Sequence, residues 1–178
     1  MKKTLIIAVS IASLLSNSSC GDKKPKQEPI VAPQGMNVLD LSRYGKPFAI
    51  FVPDTVQNKL KIVDQSYGAL EITVGANFAV AIAEQAEDLA LKKKDVTEDE
   101  VNKLKSFITD EPTALFWESA ITEPEFHFLI NQKIGNAEYN IKDLSGTDAK
   151  PFDKASAQKM FDSAKGIKEV KKEPAPNA

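Results

Sequence analysis

The chain has little of what builds disulfide frameworks and metal centres. Its 178 residues include one Cys, one His, one Trp and a single Arg, Arg43. One Cys forms no internal disulfide, and one His excludes a multi-histidine metal site. The eight Gly include neither G-x-G-x-x-G nor G-x-x-x-x-G-K, so no phosphate-cradling loop is expected. The net charge of −2 lacks the excess of one sign that nucleic acid selects. No apolar run approaches the roughly 20 residues that a helical membrane span needs.

What is present begins with an address. Met1, Lys2 and Lys3 start the chain with positive charge. Residues 5–15 are then apolar except for Ser10 and Ser13. Small and polar residues follow, Asn17-Ser18-Ser19, and then the sole Cys, Cys20. A charged start, a short apolar run and small residues read as a secretory signal peptide. The position of Cys20 resembles the bacterial lipoprotein signal, although Asn17 stands where that pattern has Leu. The resemblance implies that residues 1–19 are removed and that Cys20 becomes the lipidated first residue. It also implies attachment to a membrane of the bacterial cell envelope, most simply the outer membrane, with the domain facing the periplasm or the surface. Losing Lys2 and Lys3 would leave a mature charge of about −4, so acyl chains and not basic residues would hold the membrane.

Residues 20–37 follow as a tether. Pro25, Pro29 and Pro33 favour an extended spacer of about 3.1 Å per residue, roughly 50 Å over residues 21–36. Asp22 is a faint version of the acidic residues that follow the lipidated cysteine in surface-exported lipoproteins of Bacteroidetes-type envelopes. Residues 168–178 are polar, carry two Pro and read as a disordered tail. That leaves 38–167 as a single domain, large enough to be stable without a disulfide.

Within it, Phe48-Ala49-Ile50-Phe51-Val52 is a short buried strand, and residues 38–41 lead the chain onto the sheet. Leu60 and Ile62, then Leu70, Ile72 and Val74, then Phe78, Val80 and Ile82 alternate with other residues at the period of a strand. Ala79, Ala81 and Ala83 on the opposite face imply close cover, by a helix. Leu89, Val96, Val101, Leu104 and Ile108 follow helical spacing. Thr97-Glu98-Asp99-Glu100 fits a capping box, predicting a helix over residues 98–108 that Pro112 ends. Strands return at 115–118, 126–130 and 139–141, with Gly135-Asn136 as a tight hairpin. Ala157, Met160, Phe161, Ala164 and Ile167 predict a final helix capped by Asp153. The expectation is an α+β domain, an antiparallel sheet of about six to seven strands packed by two main helices.

This order resembles the Mog1/PsbP-type sandwich, an antiparallel sheet between helices. Phe48-Ala49-Ile50-Phe51-Val52-Pro53, Phe78-Ala79-Val80-Ala81-Ile82 and Met160-Phe161-Asp162-Ser163-Ala164 carry the likeness. The 22 Lys against one Arg, the lipoprotein start and Tyr44-Gly45-Lys46-Pro47 before a Pro-terminated strand also resemble small Bacteroidetes lipoproteins. Neither resemblance implies a catalytic motif.

Few residues offer chemistry. His127 lies between Phe126 and Phe128 and so points to the face opposite them. As a general base it needs a nucleophile and an orienting acid, for which Ser119 and Glu123 are the local candidates, but their spacing fixes no triad. A strand histidine on a semi-exposed face explains it more simply. Glu84, Glu87 and Asp88, and Asp95, Glu98, Asp99 and Glu100, lack the order of a calcium loop, and 143–148 reads as a polar turn. Lys92-Lys93-Lys94 reads as a solvated helix face. Phe116 and Trp117, with Phe126 and Phe128, form the densest aromatic group. Phe116 and Trp117 are the candidate partner or ligand surface, against the plainer reading of core packing across strands.

The functional expectation is therefore a non-enzymatic, lipid-anchored envelope protein. It would bind another envelope protein and need no cofactor, metal or nucleic acid. The alternative is a carrier or sensor of a small apolar ligand in a pocket between sheet and helix.

Overall fold

The computed structural model describes residues 29–144 and 151–170. The sequence of elements is β1 (Met36–Asp40), β2 (Phe48–Pro53), β3 (Leu60–Asp64), β4 (Ala69–Val74), β5 (Ala79–Ala83), α1 (Leu89–Glu98), β6 (Lys103–Glu111), β7 (Ala114–Ala120), β8 (Pro124–Ile134), β9 (Ala137–Asp143), α2 (Lys154–Lys165) and β10 (Lys168–Glu169). Seven strands form one antiparallel sheet in the order β3-β4-β5-β9-β8-β7-β6. Three more form a small sheet, β1-β2-β10. The fold is α+β and sheet-dominated, as the alternating patterns predict.

The two faces of the large sheet are separated by the period of the strand. On β7, Ala114 and Phe116 enter the main core, whereas Leu115 and Trp117 enter a second, smaller one. Helix α2 lies on the main-core side. Phe116 stacks on Phe161 with ring centroids 5.2 Å apart, and Phe128 meets the same ring edge-on at 5.9 Å. The expected cap is present: Asp153 accepts from the Ser156 N–H at 2.7 Å. The small sheet shares this core through Phe48, Ile50 and Val52. Phe48 also meets Tyr139 of β9 edge-on at 5.0 Å. At the end of α2, Gly166 is a close-approach position. A Cβ there would lie 3.1 Å from the Phe51 ring and from the Asp162 carbonyl.

Three local expectations change. The helix expected over 98–108 is not there. Residues 89–98 are helical instead, and 103–111 form β6. The cap is Asp88, whose side chain accepts from the N–H groups of Ala90 and Leu91. Thr97 sits near the end of α1 and donates to the Lys93 carbonyl at 2.7 Å. Asp99 turns the chain out of the helix by accepting from the Val101 and Asn102 N–H groups. Pro112 lies between β6 and β7 and does not terminate a helix. The ordered domain is also longer at both ends than 38–167. It begins with β1 at Met36, after a turn in which the Met36 N–H donates to the Pro33 carbonyl. It continues through β10, so the first residues expected in the tail pair with β2. Residues 1–28, with the expected signal peptide, Cys20 and most of the tether, lie outside the described residues. So do 145–150 and 171–178.

Candidate functional site: a cleft between α1 and the sheet

The Gly135-Asn136 turn sets the register from which the site is built. Gly135 adopts φ +60°, a backbone that other residues rarely take, and Ile134 pairs with Ala137 across the turn. Counting outward, Leu129 faces Lys142, so Asp143 arrives beside Phe128 at the end of β9. Its carboxylate accepts twice: Oδ1 from the Phe128 N–H and Oδ2 from His127 Nδ1, both at 2.8 Å. Asp143 is buried, so this carboxylate is held and oriented by the sheet itself.

On β7 and β8, His127 faces Trp117 and Glu125 faces Ser119. The indole and imidazole rings are 5.6 Å apart and tilted by 37°. His127 Nε2 faces the Glu125 carboxylate at 3.4 Å, and Asn102 Nδ2 donates to the same Glu125 oxygen at 3.0 Å. The imidazole is thus held between two carboxylates. Burial alone would lower its pKa, but the hydrogen bonds and charges of Asp143 and then Glu125 outweigh this and raise it above the ordinary histidine value.

Helix α1 roofs this face, and two asparagines hold it there. Asn131 donates from Nδ2 to the Glu87 carbonyl at 2.7 Å, and its Oδ1 accepts from the Glu87 N–H at 3.1 Å. Asn140, its cross-strand partner, donates to the Gln85 carbonyl at 2.6 Å. The segment leading into α1 is therefore tied across β8 and β9 before Asp88 starts the helix. Leu89 and Val96, seven residues apart on one helix face, then pack on Leu115, Trp117 and Leu129. The lysine triplet is not simply solvated. Lys92 Nζ lies 5.6 Å from the Trp117 ring centroid, and Lys93 Nζ lies 5.3 Å from that of Phe107 while pairing with Asp110.

Between roof and sheet lies a cleft of about 230 Å³. Trp117, Ser119 and His127 form its floor, and Lys92, Val96 and Asp99 its roof. Two buried polar atoms there have no hydrogen-bond partner among the described residues: Ser119 Oγ and Asn102 Oδ1. Ser119 is 1% exposed, so its hydroxyl bears the full cost of desolvation.

The residues singled out from sequence now divide. His127 and Ser119 do share a cleft. Glu123 is exposed and lines no part of it; the orienting acid is Asp143, with Glu125 as a second. Trp117 lines the cleft, but Phe116 is fully buried on the other side of the sheet and so belongs to the core, not to a surface. Of the 143–148 turn, Asp143 and Leu144 are described, and the Asp143 carboxylate is committed to Phe128 and His127. Among the described residues no group of three or more His, Cys, Asp or Glu is placed to hold a metal ion. No helix among them is long and apolar enough to cross a membrane. No protein-family profile, curated protein or solved structure matches the chain.

Proposed function

We propose that the protein is a lipid-anchored module of the bacterial cell envelope that binds another envelope component in the α1–sheet cleft without catalysing a reaction. The lipoprotein-like placement of Cys20 supports the anchorage, and the Pro-containing tether would let the domain reach beyond the membrane surface. One observation carries the binding role: the buried Ser119 Oγ lines the cleft without a hydrogen-bond partner among the described residues. A hydroxyl so placed gains a partner when a ligand enters.

The surroundings of His127 favour binding over catalysis. A serine nucleophile needs a ring nitrogen free to take its proton. Here Nδ1 meets Asp143, Nε2 faces Glu125, and Ser119 Oγ makes no hydrogen bond to the ring. Trp117, the only tryptophan in the chain, reports on the cleft directly. Titrating the full chain with detergent-solubilised envelope extract should change Trp117 emission, and Ser119→Ala should weaken the response. An extract that leaves the emission unchanged at every concentration would overturn the reading.

A second groove supports the alternative of an apolar carrier. It is an open groove of about 440 Å³ between the Pro33–Met36 turn and α2, with Met36, Phe51 and Ala155 beside Gln158, Lys159 and Asp162. Mass spectrometry of the native protein should then find bound lipid, and lipid-free protein would count against this alternative.

A further inference from the structure

The chemistry of the α1–sheet cleft specifies its ligand more narrowly than the reading above, on which this inference rests. Asn102 has a fixed amide orientation. Its Nδ2 donates to Glu125, so Oδ1 is the atom left without a partner, and an unpartnered acceptor needs a donor. Ser119 Oγ beside Glu125 can accept a second donor or donate in turn. The charges around these atoms are nearly balanced, with a small excess of acid. Asp143 and Glu125 hold His127 between them, Asp99 lies at the roof, and Glu87 and Lys142 neutralise each other at 2.6 Å. Lys92 is in none of the ion pairs among the described residues, and its ammonium lies over the Trp117 ring. The indole face is therefore already used as a seat for a positive charge. Lys92 is half-buried on a flexible stem and lines the cleft together with Asp99, toward which it can swing when it leaves that seat.

We propose that the cleft binds a primary ammonium group, which displaces the Lys92 ammonium from the Trp117 ring and donates to Asn102 Oδ1 and Ser119 Oγ. The remaining volume, comparable to about eight waters in all, accommodates a short aliphatic stem. A lysine side chain of a protein partner and a free small amine offer the same group. An anionic ligand would instead bring an acceptor to Asn102 Oδ1, which is itself an acceptor and offers it no hydrogen.

The test uses three probes of one shape and different charge: n-butylammonium, n-butanol and butyrate. Each is titrated into the full chain while the indole N–H resonance of Trp117 is followed by NMR. Butylammonium should bind about fivefold more tightly than butanol, and butyrate should bind least. Lys92→Met removes the competitor, so it should tighten butylammonium severalfold. Ser119→Ala should weaken it. Butyrate binding as well as butylammonium, or Lys92→Met weakening the amine, would overturn the proposal. If envelope extract moves the Trp117 signal but no excess of butylammonium competes, the ligand class is wrong while the cleft remains a binding site. If neither extract nor probe moves it, both readings fail. Separating the extract into protein and low-mass fractions, each competed with butylammonium, distinguishes the two sources of the amine.

Discussion

The carboxylate of Asp143 joins the backbone of β8 to the imidazole of His127, taking the Phe128 N–H on one oxygen and Nδ1 on the other. A single buried acid therefore both ends the β8–β9 ladder and fixes the orientation of the ring at the base of the cleft.

This arrangement makes stability depend on pH. Because the folded pKa of His127 is raised above 6.5, its charged form is favoured by folding. The contribution is complete below pH 6.5, where the unfolded chain is also protonated, and is lost as pH rises through the folded value. Glu125 and Asp143 face the ring from the sheet, and Lys92 and Asp99 line the cleft from the roof. Urea unfolding of the full chain at a series of pH values from 5.5 upward should show stability falling across that window. The dependence should flatten in His127→Gln and in Asp143→Asn. An unchanged slope in both variants would show that the titrating group lies elsewhere.

Ser119→Ala should stabilise the protein by about 1 kcal/mol, because it removes a buried hydroxyl that has no partner among the described residues, at little loss of packing. The same change should weaken ligand binding. Stability and function would thus move in opposite directions, which thermal unfolding and Trp117 titration on one sample will reveal. A loss of stability greater than 1 kcal/mol would mean that the hydroxyl is satisfied in solution.

Asn131→Ala leaves both backbone groups of Glu87 without their side-chain partner and should cost about 1–3 kcal/mol. Its specific signature is a loosened α1 roof, seen as a red shift of Trp117 emission in native buffer. Lys94→Ala, on the exposed side of the same helix, should leave the emission in place.

Cys20 is testable without any knowledge of the ligand. Cells expressing the full chain and fed a clickable palmitate analogue should label it, and Cys20→Ala should abolish the label. Label retained in that variant would remove the anchorage from the functional reading.

Most of the sheet was legible because its strands alternate cleanly. Leu70, Ile72 and Val74 point one way throughout β4, and α2 declared itself through Asp153 and the Met160-Phe161 pair. The α1–β6 region misled for a physical reason. Strand β6 carries register shifts between Leu104 and Ser106 and between Phe107 and Thr109. An extra residue in a strand changes which side chains share a face, so Leu104 and Phe107, three apart, both reach the α1 side. Three-residue spacing then imitates a helix. The acids near Thr97 completed the imitation, although Leu89 and Val96 carried the true helical spacing.

The site was legible only in part. His127 and Ser119 stood out by residue type, and Glu125 shares the face of His127 at two residues' distance. Asp143 lies 16 residues from His127 and was missed. The two-residue turn at Gly135-Asn136 contained the information, since pairing Ile134 with Ala137 puts 128 opposite 143. Asn131 and Asn140 gave no signal, because an asparagine that ties a neighbouring segment looks like any polar residue of a strand.

Strand β2 sits between β1 and β10, and Ala49 is opposite both Asp40 and Lys168. One side of this nearly all-apolar strand is paired by the residues that precede it. The other side must wait for residues more than a hundred positions later. During synthesis the Phe48–Ala49 end of the strand therefore keeps an open edge until almost the whole domain has emerged, and open apolar edges recruit other chains. Translation stalled before Lys168, or proteolysis that removes β10, would leave that edge permanently available.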